Sequence, residues 1–202
     1  MNTTWPIVRP WRNRYRARIA TLLLFTCPLA AICHAAETSP DRLDRGWGPS
    51  SVFIQAGHAP ASSSIAVGVT WDGPWQRRYA LGKVTSLWEV SASRWHAQDE
   101  APGQASWFTQ FSLTPAWRLY PHRWSSGWFV EAGVGISAIS PRYRTRTKEF
   151  GTVFNFNEHL ALGKRLADRH EVSLRVQHVS NAGIKEPNPG ETFLQVRYAY
   201  AF

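Results

Sequence analysis

The 202 residues carry 23 Lys and Arg against 14 Asp and Glu, a formal net charge of +9 that would suit a nucleic-acid binder. Five of those cations and none of the acids fall in the first 35 residues, which leaves 18 against 14 and removes that argument. The only two cysteines, Cys27 and Cys33, lie in the same leader, so the chain beyond it has no disulfide, zinc–thiolate site or cysteine nucleophile.

Residues 1–35 read as a secretory signal. Arg9, Arg12, Arg14, Arg16 and Arg18 form a basic n-region, Ile19 to Ile32 an apolar segment, and Cys33-His34-Ala35 a cleavage site with small residues at its −3 and −1 positions. The apolar segment is short for a transmembrane helix. Ile32 ahead of Cys33 does not fit a lipoprotein site. The expected mature domain is 36–202.

Beyond a polar lead-in from Glu37 to Pro49, no window sustains a helical stripe, and period-2 alternation recurs instead. A weak strand lies around Ser51 to Gly57. The next places Ile65, Val67, Val69 and Trp71 on one face. Trp88, Val90 and Ala92 follow, then Phe111, Leu113, Trp117 and Leu119. Trp128, Val130, Ala132, Val134 and Ile136 share a face, as do Phe154, Phe156, Leu160 and Leu162. Val172, Leu174 and Val176 define a seventh strand. Leu194, Val196, Tyr198, Tyr200 and Phe202 define an eighth.

The opposite faces carry Gln, Glu, Arg, Asn, Ser and Gly. Alternation alone fits a soluble barrel with its apolar side inward as well as a membrane barrel with its apolar side outward. Three features favour the membrane form. Seven of the 11 tryptophans gather toward strand ends (Trp71, Trp75, Trp95, Trp107, Trp117, Trp124, Trp128), as interfacial girdles do. Glu89, Glu131, Arg118 and Arg175 on the polar faces would be costly in a dry core and can pair in a polar lumen. The last strand ends on Phe202, which resembles the recognition signal of outer-membrane barrels. The expected fold is therefore all-β, an eight-stranded antiparallel transmembrane β-barrel of the bacterial outer membrane. Surface loops are expected near 58–62, 96–106, 140–150 and 181–190, with periplasmic turns at 72–74, 121–127 and 167–170.

Chemistry gathers at the outer end of the seventh strand. His178 and Ser180 stand two apart and share the parity of Val172, Leu174 and Val176, so both point outward to lipid. A polar pair there is costly without partners or a task. Neutral imidazole can take a serine proton, and a carboxylate can fix its tautomer. Glu191, at the start of the eighth strand, is the expected orienting acid, with Glu186 as the alternative. Parity places Glu191 on the inner side, so the reading requires a bulge or twist. Asn181 and Gly183 are candidate oxyanion donors. Residue pattern alone favours polar interface residues followed by turn chemistry.

The stretch His178-Val179-Ser180-Asn181-Ala182-Gly183-Ile184-Lys185, with Pro187-Asn188 and an acid following, resembles the signature of PagL, the outer-membrane lipid A 3-O-deacylase family. Trp71-Asp72, Gly82-Lys83-Val84-Thr85 with Trp88-Glu89, Phe129 through Gly135, and Val153-Phe154-Asn155-Phe156 extend the resemblance more loosely. It implies an eight-stranded barrel that releases the 3-linked acyl chain of lipid A, with His178 as base, Ser180 as nucleophile and Glu191 as acid. The basic run Arg142, Arg144, Arg146 is a candidate contact for lipid A phosphates. No cofactor or metal is called for. The expected partners are lipopolysaccharide and outer-membrane lipids, not nucleic acid, and a homodimer stays open. The rival readings are an outer-membrane lipid acyltransferase and a non-enzymatic barrel for adhesion or structural support.

Overall fold

The structure, a computed structural model, describes residues 48–97, 106–167 and 169–202. The predicted signal, residues 1–35, lies outside them. Eight strands follow in chain order: β1 (Ser51–Ala59), β2 (Ser62–Tyr79), β3 (Gly82–Ala97), β4 (Trp107–Pro121), β5 (Trp128–Ser140), β6 (Phe154–Ala167), β7 (His170–Ser180) and β8 (Glu191–Ala201). Each pairs antiparallel with the next, and β1 closes on β8. Ser51 opposite Ala201 puts both ends of the barrel at one rim. The outer end of β7 is at the other.

Seven of the eight strands follow the expected pattern closely. The exception is β2, where a turn is expected at Asp72-Gly73-Pro74. The strand instead runs on to Tyr79, with its register shifted between Asp72 and Gln76. Proline cannot donate to a ladder and is tolerated at a bulge. The Ser86 hydroxyl spans the gap, accepting from Trp75 N at 3.2 Å and donating to Trp75 O at 3.0 Å. The hairpin therefore turns at Ala80 and Leu81, ahead of Gly82.

The side-chain polarity is that of a membrane barrel. Val52, Ile54, Ile65, Val67, Phe111, Val134, Leu160, Leu174, Val176, Leu194 and Val196 are exposed on the outer wall. Charge lies within. Glu89 receives Arg197 at 2.7 and 2.9 Å and Arg175 at 3.2 Å. Arg175 also donates to Glu131 at 2.7 Å, and Arg118 joins Glu131 to Glu171 at 2.7 and 2.9 Å. Each carboxylate in this chain has a cation facing it, which is the condition for burying it. The guanidinium groups of Arg197 and Arg118 also lie over the rings of Phe53 and Phe129, at 3.5 and 3.9 Å from their centroids. Side chains thus fill the lumen, as eight strands permit.

Near the β7 outer end the filling changes from ionic to aromatic. Trp95, Phe108, Tyr143, Phe150 and Phe193 form a buried cluster with Ile139 and Val179. Trp95 stacks edge-on against Tyr143 and Phe193 at 5.5 and 4.6 Å. Its expected place was an interfacial girdle. Its parity on β3 is that of Glu89, however, and the side chain turns inward, where it is 2% exposed.

Candidate active site

The β7–β8 ladder is unbroken from His170↔Tyr200 to Val179↔Glu191. It contains no bulge, so strict alternation decides which way each side chain points. Along β7, Leu174 and Val176 are 51% and 49% exposed, whereas Arg175 and Gln177 are 1% and 9% exposed. His178 and Ser180 continue the outward series, half-buried, and Val179 between them is buried. The two residues singled out by their spacing therefore stand side by side on the outer wall, at the rim opposite Ser51 and Ala201.

Glu191 is elsewhere. It faces inward at 0% exposure, where its carboxylate receives Tyr143 Oη at 2.8 Å and Lys148 Nζ at 2.9 Å. The expected twist of the strand does not occur, because Val179↔Glu191 is an ordinary ladder pair with both side chains turned into the barrel. The alternative acid, Glu186, is exposed in the β7–β8 loop, with its carboxylate on the amide of Asn188 at 3.0 Å.

The partner of the imidazole is Thr192. His178 Nδ1 lies 2.8 Å from Thr192 Oγ1, and the two residues are direct cross-strand neighbours. On the β6 side the neighbour is Glu158, exposed and facing outward. The ring leans toward β8. A Cβ on Gly190 would come within 2.5 Å of His178 Cε1 and 2.9 Å of Nε2. With Nδ1 taken by Thr192, Nε2 is the ring nitrogen left to act as a base. Serine Oγ makes no hydrogen bond among the described residues, and such contacts commonly tighten only when substrate binds.

The expected oxyanion donors are engaged. Asn181 N donates to Asn188 Oδ1 at 2.9 Å, Asn181 Nδ2 to Lys185 O at 2.6 Å, and Gly183 N to Asn181 Oδ1 at 3.0 Å. Buried Asn181 organises the loop, and the positive φ of Ala182 and Gly183, 53° and 78°, completes the turn. This loop docks on the β5–β6 loop, where Gly151 N donates to Pro187 O at 2.7 Å and Lys148 Nζ to Gly190 O at 3.1 Å.

The basic β5–β6 loop is partly neutralised from within. Arg142 and Arg144 both reach Glu149, at 2.8 Å each, and both side chains are 44% exposed. Such exposed pairs are worth about 0–1 kcal/mol, so either guanidinium can exchange Glu149 for another anion at little cost. Arg146 is exposed in the same loop. Among the described residues no three His, Cys, Asp or Glu side chains are grouped to hold a metal.

The sequence model of the family described as lipid A 3-O-deacylase (PagL) matches residues 64–201, which covers β3 to β8 and most of β2. The chain belongs to the PagL family. Lipid A deacylase PagL of Bordetella bronchiseptica is 30% identical over 179 residues, covering 86% of this chain and 92% of that protein. Lipid A deacylase PagL of Pseudomonas aeruginosa is 31% identical over 155 residues, covering 70% of this chain and 86% of that protein. A crystal structure of the outer membrane enzyme PagL superimposes with a TM-score of 0.64 at 23% identity, spanning 76% of this chain and all of that one. The barrel is therefore the fold of a deacylase family, and this PagL-family chain is an ester hydrolase by membership. In this chain a threonine meets the histidine at β8, and Glu191, the acid that the resemblance implies, faces the lumen.

Proposed function

We propose that this barrel sits in the outer membrane and hydrolyses the ester at the 3 position of lipid A, with Ser180 as nucleophile and His178 as base. The observation that supports the reading is that both residues lie on the outer wall of the barrel, with Nδ1 of the imidazole held by Thr192 and Nε2 left as its other nitrogen. An ester whose chain already lies in the leaflet reaches such a wall by lateral diffusion. Ser180 Oγ attacks the acyl carbonyl while His178 Nε2 takes its proton. The tetrahedral adduct collapses, the imidazolium returns the proton to the departing sugar oxygen, and an acyl-serine remains. Water, deprotonated by the same imidazole, then releases the fatty acid and restores the serine. Arg142, Arg144 and Arg146 supply cations for the lipid A phosphates above the bilayer.

Mass spectrometry of lipid A from cells with and without the protein tests the reaction. The expected change is loss of one ester-linked acyl chain. A gain would indicate acyl transfer and no change a non-enzymatic barrel. Ser180→Ala and His178→Asn should each leave a folded, heat-modifiable barrel with activity reduced at least about a thousandfold, because base and nucleophile act as a unit. Activity near the parent level in Ser180→Ala would remove that residue from the mechanism.

A further inference from the structure

We propose that Thr192 orients the imidazole of His178, and that Glu191 acts at one remove, by holding the end of β8 that carries Thr192. The proposal rests on the reading of His178 as the base.

Four observations converge. Thr192 Oγ1 lies 2.8 Å from Nδ1, the only hydrogen bond of the ring among the described residues. The pair sits in a continuous ladder, so its geometry follows from register and not from a flexible loop. The ring packs over Gly190 on the β8 side and leans away from β6. The inward anchor then fixes the same strand end from behind. Glu191 is held by Tyr143 and Lys148, and Lys148 also holds Gly190 O. Successive strand residues point oppositely, so clamping Glu191 inside sets Thr192 outside.

The chemistry suits the location. A hydroxyl that accepts the Nδ1–H proton leaves the lone pair on Nε2, which is the tautomer a base requires. It does so without placing a second charge against lipid, where an unpaired carboxylate is costly. The charged groups placed beside His178 are Glu158, across on β6, and Lys148, which reaches the carbonyl of Gly190 at 3.1 Å next to the ring. Neither of them bonds the ring. Thr192 is thus a positioning residue, and the imidazolium formed during attack has no carboxylate bonded to it.

Steady-state deacylation by purified barrels in mixed micelles of lipid A and detergent, measured across pH, tests this. Thr192→Val should lower kcat roughly ten- to a hundredfold with KM unchanged, as expected when a base loses its orientation. Thr192→Ser, which keeps the hydroxyl, should stay within about threefold of the parent. Thr192→Asp should move the acid limb of kcat/KM to higher pH, since an adjacent carboxylate favours the protonated imidazole. Glu158→Gln should match the parent in both rate and pH profile. Heat-modifiability reports folding of every variant. The proposal is overturned if Thr192→Val retains the parent kcat, if the acid limb of Thr192→Asp stays in place, or if Glu158→Gln shows the loss expected of Thr192→Val. Ser180→Ala in the same assay separates the two levels. An inactive Ser180→Ala beside a fully active Thr192→Val sinks only the role of Thr192, whereas an active Ser180→Ala sinks the serine mechanism beneath it.

Discussion

Gly190 is the residue on which the geometry of the site turns. Its φ of +66° lies in the left-handed region, and the space its Cβ would take is filled by the imidazole of His178. Gly190→Ala would therefore strain the backbone by about 1–2 kcal/mol and push the ring off Thr192 or away from Ser180. The expected result is a folded barrel whose deacylation rate falls at least tenfold. Circular dichroism and the gel shift on heating would confirm folding, and a parent-like rate would show that the ring has another seat. The sequence alone makes His178 and Ser180 legible, because spacing of two on a strand fixes a shared face. It leads to Glu191 through residue type, its place at the start of the eighth strand and the family resemblance. Parity argues the other way at that position. Counting back along β8 from Leu194 puts Thr192 on the outer wall, and the register of the hairpin then sets it opposite His178. The ion pair that occupies Glu191 is invisible before folding, because Lys148 lies 43 residues away in the chain.

At the scale of the element, β7 is a two-sided strand whose sides have different solvents. Leu174 and Val176 lie on the lipid side, and Arg175 and Gln177 on the ionic lumen. Because residues 36–202 contain no cysteine, single cysteines can map the sides directly. A bilayer-restricted quencher should extinguish a fluorophore at Val176 and leave one at Gln177 bright. The reverse pattern would put His178 and Ser180 inside and remove lateral access to the ester. Strands of this kind are legible in sequence, since each keeps its alternation over its length. The bulge of β2 is not, since Asp72-Gly73-Pro74 has the composition of a turn, and the hydroxyl of Ser86 that bonds both backbone groups of Trp75 across it belongs to the next strand. Nor is the β5–β6 loop. Its basic composition suggests a solvated segment, yet Tyr143 and Phe150 from that loop are wholly buried in the aromatic cluster.

Over the whole molecule, rigidity comes from the lumen and chemistry from the wall. Arg175 joins the Glu89 and Glu131 ends of the interior chain of ion pairs. Arg175→Met would leave each carboxylate with one fewer cation in a dry setting, at a cost of about 3 kcal/mol. The temperature at which the barrel loses its compact gel mobility should fall. Activity per folded molecule at low temperature should hold, since no site residue touches Arg175. A drop in activity without loss of thermal stability would show that the lumen reaches the chemistry. The sideways opening of Ser180 has a kinetic meaning under the proposed mechanism. Enzyme and ester meet in two dimensions, so the governing concentration is the mole fraction of lipid A in the leaflet bordering β7, not the amount in the suspension. Inert lipid then slows turnover by dilution within the plane. The cleaved fatty acid starts its life against the same wall, and each new encounter waits for neighbouring lipids to trade places.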